Sequence, residues 1–145
     1  MKNIKNDIKM EISKNQYYTL EIDKENKLAM GIWHEATALM SDEDFVNAAE
    51  YISQVAYEYG ADKLIIDSLH FQKIITLEIQ TSMATRVGPL HAKSGLKRLA
   101  HVRPADFITE LAVEQTADEV KSAGKGNFAV KYFTTLVEAK NWITS

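Results

Sequence analysis

Leu64-Ile65-Ile66-Asp67 is the stretch whose reading decides the fold. Three bulky apolar residues in a row, without polar alternation, suit a strand covered on both faces, as at the centre of a parallel sheet. The residues before it support that reading. Ser41 reads as an N-cap, and Asp42, Glu43 and Asp44 place negative charge at the positive end of a helix. Phe45, Ala48, Ala49, Ile52, Val55, Ala56 and Tyr59 then recur at helical spacing until Gly60 supplies a left-handed stop. A helix running straight into a buried strand is the repeating unit of an α/β sheet.

Toward the N-terminus, Tyr18, Leu20 and Ile22 alternate, Asp23-Lys24-Glu25-Asn26 offers turn chemistry, and Leu28, Met30 and Ile32 alternate again before Trp33. This is the pattern of a β-hairpin. Residues 1–15 are rich in lysine and asparagine, with a short alternation at Ile8, Met10 and Ile12; they read as a flexible arm, with an edge strand as the alternative.

Toward the C-terminus, Thr76 opens a second helix that presents Leu77, Gln80, Ala84 and Val87 or a neighbouring stripe. Gly88-Pro89 is expected to kink or end it, because proline disfavours helical geometry in the preceding residue, with a further turn to Ser94 closed by Gly95. Leu99-Ala100-His101-Val102 reads as a strand, residues 106–123 as a helix and Gly124-Lys125-Gly126 as a turn. A last strand over residues 128–133 precedes a helix with Thr135 and Glu138 as its capping box and Leu136, Ala139 and Ile143 as its apolar face. The expected fold is α/β: a single mixed β-sheet of about five strands, opening with the hairpin and covered by about four helices. The strands fall near residues 17–23, 27–33, 62–67, 98–103 and 127–133 of one domain over residues 16–145. Phe45, Ile52, Val55, Leu64, Ile66, Leu99, Phe128 and Ile143 are the expected core.

Composition narrows the class. A chain of 145 residues with 46% hydrophobic content suits one domain with a substantial core. The absence of cysteine removes disulfides, thiolate metal sites and a cysteine nucleophile, and suits a reducing cytoplasm. The opening residues are too polar for a signal peptide, and no apolar run reaches membrane-spanning length, so a cytoplasmic protein is expected. The net charge of −3 is unevenly spread: between Glu78 and Asp106 there is no acid, while Arg86, Lys93, Lys97, Arg98 and Arg103 lie there with His91 and His101. Such a field attracts anions to one region of an otherwise acidic protein.

Gly31-Ile32-Trp33, Leu64-Ile65-Ile66-Asp67, Glu78 with Gln80, residues 95–102, and the ending from Tyr132-Phe133-Thr134 through Glu138-Ala139 to Trp142-Ile143 together resemble the STAS domain, the fold of anti-sigma-factor antagonists. Within it the order is similar to the STAS/SEC14-like branch found in bacterial genomes, and the match runs from Gln16 onward. The resemblance implies a mixed sheet covered by helices and a protein that works by binding partner proteins, nucleotides or lipid-like ligands. In the best-known antagonists an Asp-Ser-Ser-Gly-type segment carries a phosphorylated serine. Here Ser68 follows Asp67 at the strand end and Phe71-Gln72-Lys73-Ile74-Ile75-Thr76 lacks that motif, leaving Thr76 as the nearest hydroxyl.

Individual candidates are few. Asp67 sits at the carboxyl end of a central strand, where open α/β sheets place ligand sites, so Asp67, Ser68 and His70 are candidates for a polar ligand. The plainer reading of Asp67 is an Asx cap on the following turn. His34, His70, His91 and His101 show no metal-ligand spacing, so no metal is expected. Gly124-Lys125-Gly126 precedes a strand rather than a helix and is no phosphate loop. Trp33 and Trp142 lack interleaved cations, which leaves nucleic acid without support, and Trp142 beside Ile143 reads as an anchor for the last helix. Lys93, Lys97, Arg98 and Arg103 are candidates for a phosphate, an anionic headgroup or an acidic partner; a solvated basic face is the plainer reading. No catalytic residue and no cofactor are expected. The expected function is a non-catalytic binding or regulatory module that engages a protein partner, with homo-oligomerisation compatible. The alternative is a small anionic, amphipathic or lipid-like ligand held between sheet and helices, which an apolar cavity would favour. An enzyme built on Asp67 is a third.

Overall fold

The computed structural model describes residues 9–124 and 127–145. Its elements are β1 (Lys9–Lys14), β2 (Tyr18–Asp23), β3 (Leu28–Trp33), a 3-10 turn (Glu35–Leu39), α1 (Asp42–Glu58), β4 (Lys63–Asp67), α2 (Leu77–Ser94), β5 (Arg98–Val102), α3 (Phe107–Ala123), β6 (Ala129–Phe133) and α4 (Leu136–Ile143). The six strands lie side by side in chain order in one mixed sheet. β1, β2 and β3 pair antiparallel, and β3 to β6 run parallel.

The expected α/β sheet with four helices is what the chain forms, with one strand more. Residues 9–14, where an edge strand stood as the alternative to a flexible arm, form that edge strand on β2, and the register shifts between Glu11 and Ser13. A bulge there twists a strand at the sheet edge, which discourages pairing with another chain. Residues 1–8 and the Lys125-Gly126 part of the expected turn lie outside the described residues.

The two faces of the sheet are covered unequally. Leu20, Ile22, Ala29, Trp33, Leu64 and Leu99 face α1, α2 and α3, joined by Phe45, Ile52, Val55, Ile79, Val87, Val120 and Phe128 in one core. Leu28, Met30, Ile65, Ala100 and Val102 face α4, which contributes Ala139 and Ile143. β3 is thus covered on both sides, where its alternation suggested one. Seven of the eight expected core residues are buried, and Ile66, on the wall of the cavity described below, is partly so.

Caps follow the sequence: Ser41, Thr76, Asp106 and Thr135 each accept a backbone N–H from the third residue along. α2 departs from expectation. It continues through Pro89 to a left-handed Gly95 (φ 71°), and it buries Ile79, Gln80, Val87, Gly88 and His91 while Leu77 is 75% exposed. The reason is its contact with α3. A Cβ on Gly88 would lie 2.9 Å from the Val120 carbonyl oxygen, and one on Gly124 would collide with the Gly88 carbonyl. Lateral support of this kind offsets the hydrogen bond that proline removes.

Candidate functional site

Between the sheet and α1, α2 and α3 lies a cavity partly open to solvent, with about 80 Å³ of free space for the centre of a water-sized sphere. Ligand sites are mostly apolar with a few placed polar groups. α1 contributes Phe45, Ala49, Ile52 and Ser53; α2 contributes Met83, Val87 and His91. α3 presents Val113, Thr116, Ala117 and Val120, side chains of small or medium size that leave space above Leu99 and His101 of β5. Trp33, Phe45 and Phe71 form one aromatic cluster in the lining, with ring centroids 5.2 to 5.8 Å apart. Among the described residues that line the cavity, none is Asp, Glu, Lys or Arg.

The polar part of the wall is unusual. His91 and His101 are each 8% exposed. His91 Nε2 lies 3.4 Å from Ser53 Oγ, whereas His91 Nδ1 and both ring nitrogens of His101 are buried without a hydrogen-bond partner. Burial pushes both imidazoles down to about 4, and for His101 the neighbouring His91 adds to the effect. Both rings are therefore neutral near pH 7, each with one donor and one acceptor nitrogen. His101 stacks on Tyr132 at 5.4 Å, and His91 meets the Phe128 ring edge-on at 5.6 Å. The Tyr132 hydroxyl is likewise buried without a partner at hydrogen-bond distance, and burial, together with the Asp118 and Glu114 carboxylates, pushes it up to about 12. Buried polar groups are almost always paired, by ordered water where the protein supplies no partner, so the histidine nitrogens keep hydrogen-bonding capacity for water or a ligand.

Of the binding residues expected from sequence (Asp67, Ser68, His70, Thr76, Lys93, Lys97, Arg98 and Arg103), Ser68, 2% exposed, alone reaches the cavity wall. Asp67 Oδ1 accepts from the Leu69 N–H at 3.1 Å, the Asx turn of its plainer reading. His70 is exposed, and Thr76 serves as the N-cap of α2. The cations are not gathered. Arg98 Nη1 donates to the Trp142 carbonyl at 2.7 Å and to the Ser145 carbonyl and hydroxyl, closing the end of α4. Lys97 pairs with Asp62 at 3.5 Å beside Lys63, Arg103 lies 3.1 Å from Glu110, and Lys93 is exposed on α2. Arg98 and Arg103 stand at opposite ends of β5, roughly 16 Å apart at strand rise. Trp142 packs on Phe133 at 5.8 Å with Arg98 over its ring, holding α4 to the sheet.

His91, His101, Ser53 and Thr116 were not singled out from sequence as site residues. A signal existed for His91: Met83, Val87 and His91 recur every fourth residue on one helix face. His101 shares a strand face with Leu99, which marks it as inward-facing. Among the described residues no three His, Asp or Glu side chains gather to hold a metal, and no helix is long and apolar enough to cross a membrane. Compared with known proteins, the chain matches no family model, no curated protein and no solved structure.

Proposed function

We propose that the protein is a non-catalytic module that binds a small amphipathic ligand in the cavity between its sheet and helices. The observation that carries this reading is the coincidence of an apolar, uncharged wall with unpartnered ring nitrogens on two buried histidines. An apolar ligand body would take the place of water against the Trp33, Phe45 and Phe71 end, while its polar end would meet the histidines. The resemblance to STAS/SEC14-like proteins points the same way.

The test is uptake of the apolar fluorophore N-phenyl-1-naphthylamine, read by its emission. Wild type should bind it saturably, and Ala117→Phe, which extends a bulky ring from α3 into the cavity, should weaken binding by about tenfold. Absence of saturable uptake by folded wild type would end this reading.

A second reading, protein interaction, draws on a different surface. Leu39, Ile74 and Leu77 are 80%, 83% and 75% exposed on segments tied by the Gln72 N–H to Thr37 Oγ1 bond of 3.0 Å. Large apolar side chains left exposed on segments joined in this way suit an interaction surface. If copies of the chain meet there, sedimentation should show association that Ile74→Asp abolishes; a wild type that stays monomeric at high concentration would count against it.

A further inference from the structure

We propose that the cavity selects ligands whose head is an uncharged group able both to donate and to accept hydrogen bonds, an alcohol above all, and that His101 and His91 hold this head. The inference rests on the reading of the cavity as a ligand site and adds the chemistry of what enters it.

Three kinds of head can be weighed against the wall. A carboxylate or phosphate would exchange its water shell for a lining without Lys or Arg, and burial of an unpaired charge is costly. An ammonium meets the same obstacle, because no Asp or Glu lines the cavity among the described residues. The charges nearest the histidine pole are already engaged or lie outside the lining: Arg103 stands beside Glu110 and over the Tyr132 ring at 5.8 Å, and Glu114 and Asp118 act on the Tyr132 hydroxyl. A purely apolar ligand fits the wall yet leaves the three ring nitrogens unpaired.

A hydroxyl meets the remaining requirement. Its O–H donates to whichever ring nitrogen lacks a proton, and its oxygen accepts from a ring N–H. The two ring nitrogens of neutral His101 point away from each other, so the hydroxyl meets one of them, as donor or as acceptor according to the tautomer. His91 Nδ1 and the Ser53 hydroxyl supply a second contact, and Thr116 Oγ1, which donates to the Ala112 carbonyl at 2.7 Å, keeps acceptor capacity. The stacked Tyr132 fixes the plane of the His101 ring before a ligand arrives.

The experiment compares decanol, decanoate and decylammonium at neutral pH by calorimetry, with ring-nitrogen NMR of the four histidines as a second readout. Decanol should bind about tenfold or more tightly than either ion, the size of effect expected when a buried charge lacks a partner. The ring signals of His91 and His101 should shift with decanol while those of His34 and His70 stay. His101→Phe keeps the ring and removes both nitrogens. It should weaken decanol about tenfold, and His101→Gln should restore part of the loss. Decanoate binding as tightly as decanol, or unmoved His91 and His101 signals in wild type, overturns the head assignment even if the fluorophore binds. Loss of fluorophore uptake by wild type overturns the cavity reading as well, so the two failures are told apart, and the NMR arm needs no variant to fold.

Discussion

The two faces of the sheet are built from the same strands and differ in what covers them. On one, α4 comes close to β4, β5 and β6 because Ala139 has almost no side chain, and Ile65, Ala100, Val102, Ala139 and Ile143 are completely buried. On the other, α3 packs along α2 through Gly88 and Gly124, and its small side chains stop short of β5. The first face is dense and apolar; the second keeps a cavity and two neutral histidines. A helix held by its neighbouring helix leaves space over a sheet, whereas one pressed onto the strands does not. Close packing on one side supplies stability that the cavity side forgoes.

The largest expected effect contrasts neighbouring residues of β4 that point to opposite faces. Ile65→Ala opens a hole in the dense layer and should cost about 3 to 5 kcal/mol, whereas Ile66→Ala only enlarges existing space and should cost about 1 to 2 kcal/mol. Urea denaturation of both variants decides it, and equal losses would show that the faces do not differ in packing.

Acid should expose the second face next. Folding lowers His91 and His101 from the ordinary 6.5 to about 4, so between those values the unfolded chain binds more protons than the folded one. Stability is therefore complete above about pH 6.5 and declines as pH falls toward 4, by about 3 kcal/mol for each histidine if the shifts act separately. Denaturation midpoints between pH 7 and 4 should follow that slope. In His101→Phe it should flatten, and an unchanged slope would place the acid sensitivity elsewhere.

The smallest effect belongs to the dense face again. Arg98→Ala removes the donor that closes α4 and should cost about 1 kcal/mol, since its partners lie at the surface and water replaces part of the contact. If Arg98 served an external anion instead, the variant would keep its denaturation midpoint.

The elements were legible where burial imposes a local period. Leu64-Ile65-Ile66-Asp67, the hairpin and the helix after Ser41 are all present with ends displaced by a residue or two. The continuation of α2 through Pro89 was not, because proline acts locally and its compensation comes from α3 some thirty residues away in the chain. The basic window misled for a related reason: nearness in sequence placed Lys93, Lys97, Arg98 and Arg103 together, while partners such as Trp142, Asp62 and Glu110 separate them.

Sequence alone determined which residues share a face, since alternation and helical spacing record direction, and His101 beside Leu99 and His91 after Val87 follow from that rule; which stripe turns inward it left open, as the exposed Leu77 of α2 shows. Only the tertiary structure decided how far apart the inward-facing layers stand. That distance depends on contacts between elements remote in the chain, here Gly88 against Gly124 and Val120, and Ala139 against the opposite face. A periodic pattern carries no record of such a gap, so the cavity and its two unpartnered histidines appear only when the layers are assembled.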